Sequence, residues 1–132
     1  MSRLDEIVAY KKEELKLLKQ ERSLSVLERG LKHRPPIRSF RASVRREGKL
    51  SLIAEIKRSS PSAGPIQPDA DPVAIAKGYA GSGANAISVL TDEKFFSGKL
   101  KELTSVKAAV NLPVLRKDFT LEEYQVVEGA CA

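Results

Sequence analysis

With 132 residues, 42% of them hydrophobic, the chain can bury one modest core. It has no run of about 18 apolar residues to suggest a membrane span, and its charged opening, MSRLDEIVAYKKEEL, lacks the apolar centre of a secretory signal, so a cytoplasmic address is expected. The formal charge of +6 is lopsided: residues 1–49 hold 14 Lys/Arg against 7 Asp/Glu, and residues 50–132 hold 9 against 10.

The first 49 residues read as an N-terminal helical extension. Leu4, Ile7, Val8, Leu15, Leu18, Leu24 and Leu27 recur at spacings of three, four and seven, which predicts amphipathic helix over residues 4–31, interrupted around Arg22 and Ser23. Gly30 is the expected stop. HRPPIRSF cannot continue a helix, because Pro35 and Pro36 lack amide donors and Pro35 pushes Arg34 out of helical geometry. A short second helix is expected over residues 39–47, ended by Gly48. Excess positive charge here could attract nucleic acid. KKEELKLLKQER, however, mixes signs at i,i+4 and carries no interleaved aromatics, so it reads as a solvated helix face and no nucleic-acid partner is expected. His33, beside two prolines, reads as surface.

Residues 50–132 alternate by type. Residues 51–57 predict a strand, and DADPVAIAKGYAGSG a helix with Asp71 as N-cap and Pro72 at its first position. ANAISVLT predicts a second strand, SGKLKELTSVKAAVN a helix and LPVLRKDF a third strand. TLEEYQVVEGACA opens a third helix, with Thr120 as cap and Glu123 completing a capping box. Strands separated by single helices imply a parallel sheet with right-handed crossovers. Gly78, Gly81 and Gly83 follow a helix and precede a strand, the wrong order for a phosphate loop. Cys131 has no partner for an intrachain disulfide, and nothing clusters at ligand spacing, so neither metal nor other cofactor is expected.

The stretch LIAEIKRSSPSAGPI, residues 52–66, carries the chemistry. Leu52, Ile53, Ala54 and Ile56 read as core, yet Glu55 and Lys57 lie among them. Strand alternation puts Ile53, Glu55 and Lys57 on one face, and in the third strand Leu115, Lys117 and Phe119. A parallel sheet covered by helices on both sides should be apolar on both faces, so charges at strand ends are the anomaly. Two lysines and a glutamate at the carboxyl ends of neighbouring parallel strands match the layout of a (β/α) barrel active site. Periodicity alone equally accommodates a structural Glu55–Lys57 ion pair or strand ends open to solvent. Arg58 and Arg116 fall on the opposite face, outside the chemistry, and SPSAGP is a turn by its Pro and Gly content.

LIAEIKRSSPSAGPI resembles the signature of the indole-3-glycerol-phosphate synthase family, a strand ending Glu-x-Lys that runs into a Ser-Pro-Ser turn. LDEIVAYKKEEL, ISVLTDEKFFSGKLKEL and PVLRKDFTLEEYQV are similar, in order, to that family's N-terminal helix, second strand with its loop, and third strand with its helix. The resemblance implies an α/β fold of the TIM (β/α)8 barrel family with a helical extension over the catalytic mouth. It implies ring closure, with decarboxylation and dehydration, of 1-(2-carboxyphenylamino)-1-deoxyribulose 5-phosphate, a step of tryptophan biosynthesis. Lys117 would then be the general acid on the substrate carbonyl. Lys57 would neutralise substrate anions and serve the dehydration, and Glu55 would orient Lys57 and relay a proton. Ser60 would bind substrate, and Phe96 and Phe119 would line the pocket for the anthranilate ring, although aromatics also bury for packing alone.

Three strands are counted where such a barrel has eight in about 250 residues. Residues 50–132 are therefore expected to be its first three β/α units, a truncated portion that is weakly active or inactive alone. Its open sheet edges are expected to favour self-association or complementation by a C-terminal fragment. The expected partner is a small anionic phosphorylated substrate, with no membrane partner. The alternation and lysines would also fit another phosphate-handling barrel enzyme, such as a sugar-phosphate isomerase, and the basic third a non-enzymatic binding module. The isomerase reading does not account for EIKRSSPS and LRKDF together, and the binding module is disfavoured by the mixed signs of KKEELKLLKQER.

Overall fold

The structure, a computed structural model, describes residues 1–132 and contains two compact units, one of residues 1–35 and 119–132, the other of residues 36–118. Arg38 and the helix after it belong with the strands, and the last helix belongs with the first two.

In the first unit, helix α1 (Arg3–Glu21) starts at Ser2, whose hydroxyl accepts from the Asp5 amide at 3.2 Å while Asp5 Oδ2 accepts from the Ser2 amide at 2.8 Å. Ser23 caps helix α2 (Leu24–Gly30). The α-helix ends at Gly30, as expected, but without a left-handed turn: the φ of −63° carries the chain on into a 3₁₀ turn over Leu31–His33. Arg34 then turns extended, as the residue before Pro35 must. Leu15, Leu27, Tyr124 and Val127 form the core, with Leu18, Leu24 and Leu31 packed against it. Helix α7 (Glu123–Cys131) begins later than the expected Thr120 cap. The reason lies in Gln125, whose Oε1 accepts from the Leu121 and Glu122 amides at 2.6 and 3.2 Å while its Nε2 donates to the Phe119 carbonyl at 2.7 Å. One buried amide thereby satisfies several backbone groups that Thr120 leaves unmet.

The second unit holds helix α3 (Phe40–Val44), strands β1 (Ile53–Ile56), β2 (Ser59–Ser60) and β3 (Gly64–Pro65), and helix α4 (Pro72–Gly81). Strand β4 (Ala86–Leu90), helices α5 (Glu93–Phe96) and α6 (Leu100–Ala109) and strand β5 (Val114–Lys117) follow. Asp71 caps α4 with Pro72 at its start, as the sequence predicts. The β2–β3 hairpin and α5 are additions that alternation does not reveal, because each is too short to carry a period. β1, β4 and β5 form a parallel sheet in the order β1-β4-β5. Ala54, Ile56, Ile87 and Val89 are buried, as are Ala76 of α4 and Leu103 and Val106 of α6, so these helices cover that face. The other face is open along the outer strands, where Ile53 is 46% and Leu115 42% exposed, while Ala86, Ser88 and Leu90 of the central strand are buried. Ile53, on this face, and Leu52, before the start of β1, are expected in the core but lie outside it. No helix is long and apolar enough to cross a membrane.

Candidate active site

All three strands of the sheet run the same way, so their carboxyl ends share one rim. Lys57 follows β1 directly and Lys117 ends β5. Pairing of Ile56 with Val89 puts Lys57 level with Leu90, which is itself paired with Lys117. Neighbouring strands stand about 4.8 Å apart, so the backbones of the two lysines are separated by roughly 10 Å across the central strand. One residue pair deeper, Glu55 lies level with Ser88 and Leu115. Alternation then gives Glu55, Lys57 and Lys117 to the same open face.

The three charges differ in how firmly they are held. Glu55 is half-buried; its Oε2 accepts from the Ser88 hydroxyl at 3.0 Å, and its Oε1 lies 3.9 Å from Lys57 Nζ. Lys57 and Lys117 are exposed. The ion pair is thus a loose one, beyond hydrogen-bond distance, and leaves Lys57 available to an incoming anion. Two ammonium groups against one carboxylate make the face net positive, suited to a ligand with more than one anionic group.

Ser60 sits in β2 and is buried; its Oγ accepts from the Ala63 amide at 3.1 Å and lies 3.3 Å from Ser62 Oγ. The hairpin is tied back to the strand end, because the Ile66 and Gln67 amides both donate to the Arg58 carbonyl, at 2.7 and 3.1 Å. Phe96, half-buried, ends α5, whose N-cap Asp92 accepts from the Phe95 amide at 2.7 Å. Phe119 lies two residues past the end of β5, where strand alternation no longer applies, and belongs to the first compact unit. No group of three or more His, Cys, Asp or Glu side chains is arranged to hold a metal ion.

The family model for indole-3-glycerol phosphate synthase matches residues 4–132. The chain belongs to the indole-3-glycerol phosphate synthase family. It is similar to the synthase of Geobacillus thermodenitrificans (strain NG80-2), at 51% identity over 128 residues, covering 96% of this chain and 46% of the relative. The synthase of Desulfotalea psychrophila (strain LSv54 / DSM 12343) is 51% identical over 128 residues, with 96% and 49% covered. That of Hyphomonas neptunium (strain ATCC 15444) is 44% identical over 129 residues, with the same shares covered. The chain spans about half the length of these curated relatives.

Several residues around this family's strand ends are not evident from the sequence. Ser88 contacts Glu55, which only the register reveals. On the opposite face, Arg58 pairs with Glu102 and donates to the Ser97 carbonyl at 2.9 Å, tying the end of β1 to the loop before α6 and to α6 itself. Thr91 donates to Asp118 at 2.6 Å and accepts from Arg116 Nε at 3.2 Å, joining the ends of β4 and β5 on either side of Lys117. Arg58 and Arg116 therefore have structural partners on their own side.

Proposed function

We propose that this chain provides the first three β/α units of a (β/α)8 barrel of the indole-3-glycerol phosphate synthase type, and with them the Lys57–Glu55–Lys117 part of its active site. The substrate is 1-(2-carboxyphenylamino)-1-deoxyribulose 5-phosphate. The observation carrying this reading is the gathering of Glu55, Lys57 and Lys117 on one open face at one rim of a parallel sheet, in a chain that belongs to this family.

The chemistry follows from the residue types. The Lys117 ammonium polarises the substrate carbonyl and protonates its oxygen as the ring carbon bearing the carboxylate attacks, forming the new carbon–carbon bond. Loss of carbon dioxide restores the aromatic ring, and loss of water completes the indole. Lys57 neutralises the substrate's anionic groups and protonates the departing hydroxyl, while Glu55 orients Lys57 and relays a proton. Ser60, in the turn beyond β1, hydrogen-bonds the substrate, and Phe96 offers its ring to the anthranilate.

Alone, the chain is expected to turn over little or no substrate. The exposed Ile53 and Leu115 and the outer strands β1 and β5 support completion of the sheet by further parallel strands. Mixing with a polypeptide carrying the remaining strands of a family member should yield a product with indole fluorescence. Lys117→Ala should then lower kcat by at least about 100-fold. Absence of product across a range of concentrations, or product formation insensitive to Lys117→Ala, would sink the proposal. Interconversion of a sugar phosphate without indole formation would point to a barrel isomerase instead.

A further inference from the structure

The central strand β4 has five buried residues, and those facing the Glu55 side are Ala86, Ser88 and Leu90. Ser88 is the one polar side chain among them and is 3% exposed. A hydroxyl buried so deeply needs a partner, and the geometry gives it Glu55, its neighbour in the register, at 3.0 Å. The backbone of Glu55 is fixed as well, because Tyr79 Oη donates to its carbonyl at 3.2 Å. The glutamate is therefore held by α4 through its main chain and by β4 through one carboxylate oxygen.

The two carboxylate oxygens are thereby set to different tasks. Oε2 is engaged by Ser88, while Oε1 faces Lys57 at 3.9 Å, close enough to attract the ammonium and too far to lock it. A carboxylate able to rotate freely could instead collapse onto Lys57 with both oxygens, or turn away from it.

We infer that Ser88 is a positioning residue, whose hydroxyl fixes the Glu55 carboxylate so that one oxygen stays directed at Lys57. The assignment of its purpose rests on the synthase reading above, but the contact itself can be tested without turnover. In the 132-residue chain, 13C relaxation of the Glu55 side-chain methylenes should report an ordered group in the native protein, a mobile one in Ser88→Ala, and restored order in Ser88→Thr, which retains the hydroxyl. If native Glu55 is as mobile as the exposed Glu13, or if order persists in a folded Ser88→Ala chain, the inference fails. The native measurement decides even if Ser88→Ala does not fold. In the mixture described above, Ser88→Ala should lower kcat by about tenfold with little change in KM, and Ser88→Thr should recover it. Unchanged kcat in an active mixture overturns the positioning role. Loss of Glu55 order with no synthase product from any mixture would instead count against the synthase reading while leaving the Ser88–Glu55 contact intact.

Discussion

A Cβ placed on Gly98 would stand 2.1 Å from the carbonyl oxygen of Leu90 and 2.6 Å from its carbon. Leu90 ends the central strand beside Lys117, and the loop from Thr91 returns to that strand end, where the Gly98 amide donates to the Asp92 carbonyl at 2.8 Å. Backbone presses on backbone, so no rotamer change relieves the contact. Gly98→Ala should cost at least about 2 kcal/mol of stability in urea denaturation and displace the Thr91–Gly98 loop. Amide chemical shifts at Leu90 and Thr91 report the displacement, and an alanine variant with native shifts there would contradict the close approach.

Arg38 ends helix α6 from a distance. Its Nη1 donates to the Val110 and Leu112 carbonyls at 2.6 and 2.9 Å, and its Nη2 to the Lys107 carbonyl at 3.1 Å. A forked cation at a helix C-terminus meets both the unpaired carbonyls and the negative end of the dipole. Arg38→Ala should destabilise the chain by about 2 kcal/mol. Arg38→Lys should recover less than half of that, since a single ammonium cannot span three carbonyls. Denaturation midpoints of the three chains check the ranking.

The parallel three-stranded sheet was legible because period-two and helical segments alternate over lengths that fix their type, and Asp71-Pro72 marks a helix start that needs no tertiary context. Glu55, Lys57 and Lys117 stood out for a related reason: charges in otherwise apolar strands conflict with full burial. What stayed hidden depends on register. Ser88 reads as one small residue in AISVL, and only the pairing of Glu55 with Ser88 makes it a partner. Ile53 reads as core because hydrophobicity cannot say which face of a sheet is covered, and Leu52 because it cannot say where the strand begins. Thr120 is not the cap because the box forms two residues later, with Glu122 as N-cap and Gln125 reaching back to the Leu121 and Glu122 amides, a register that the Ser/Thr preference of the rule passes over.

The N-terminal capping box should give a small acid sensitivity. Hydrogen bonds from the Ser2 hydroxyl and amide hold the Asp5 carboxyl below the usual aspartate value. A carboxyl with a depressed folded value contributes stability that is present above its unfolded value of about 3.9 and lost as pH falls through the folded value. Asp5→Asn should therefore remove part of the pH dependence of α1 helicity below about pH 4 and leave the rest of the curve in place. Circular dichroism of the two chains between neutral and acid pH tests this, and superimposable curves would show that the box carries no linkage.

At the alkaline end the responsible group is Tyr124. Burial pushes its phenol above the ordinary tyrosine value, and the neighbouring Glu128 carboxylate adds to the shift. The hydroxyl donates to the Arg22 carbonyl at 2.8 Å and to that of Leu18 at 3.2 Å, where α1 ends and the Leu18 carbonyl also accepts from the Arg22 amide. Ionisation would leave a buried anion against two acceptors. A group whose folded value is raised contributes stability that is full below its unfolded value, here about pH 10, and is lost as pH rises through the folded value. The first compact unit should therefore lose stability above about pH 10. Tyr124→Phe should remove that alkaline loss and, because it also deletes the hydroxyl's hydrogen bonds, lower stability at neutral pH by about 1 kcal/mol. The chain has three tyrosines. Tyrosinate absorbance should include a step above the ordinary value that Tyr124→Phe abolishes; a variant that keeps that step would assign the perturbed phenol elsewhere.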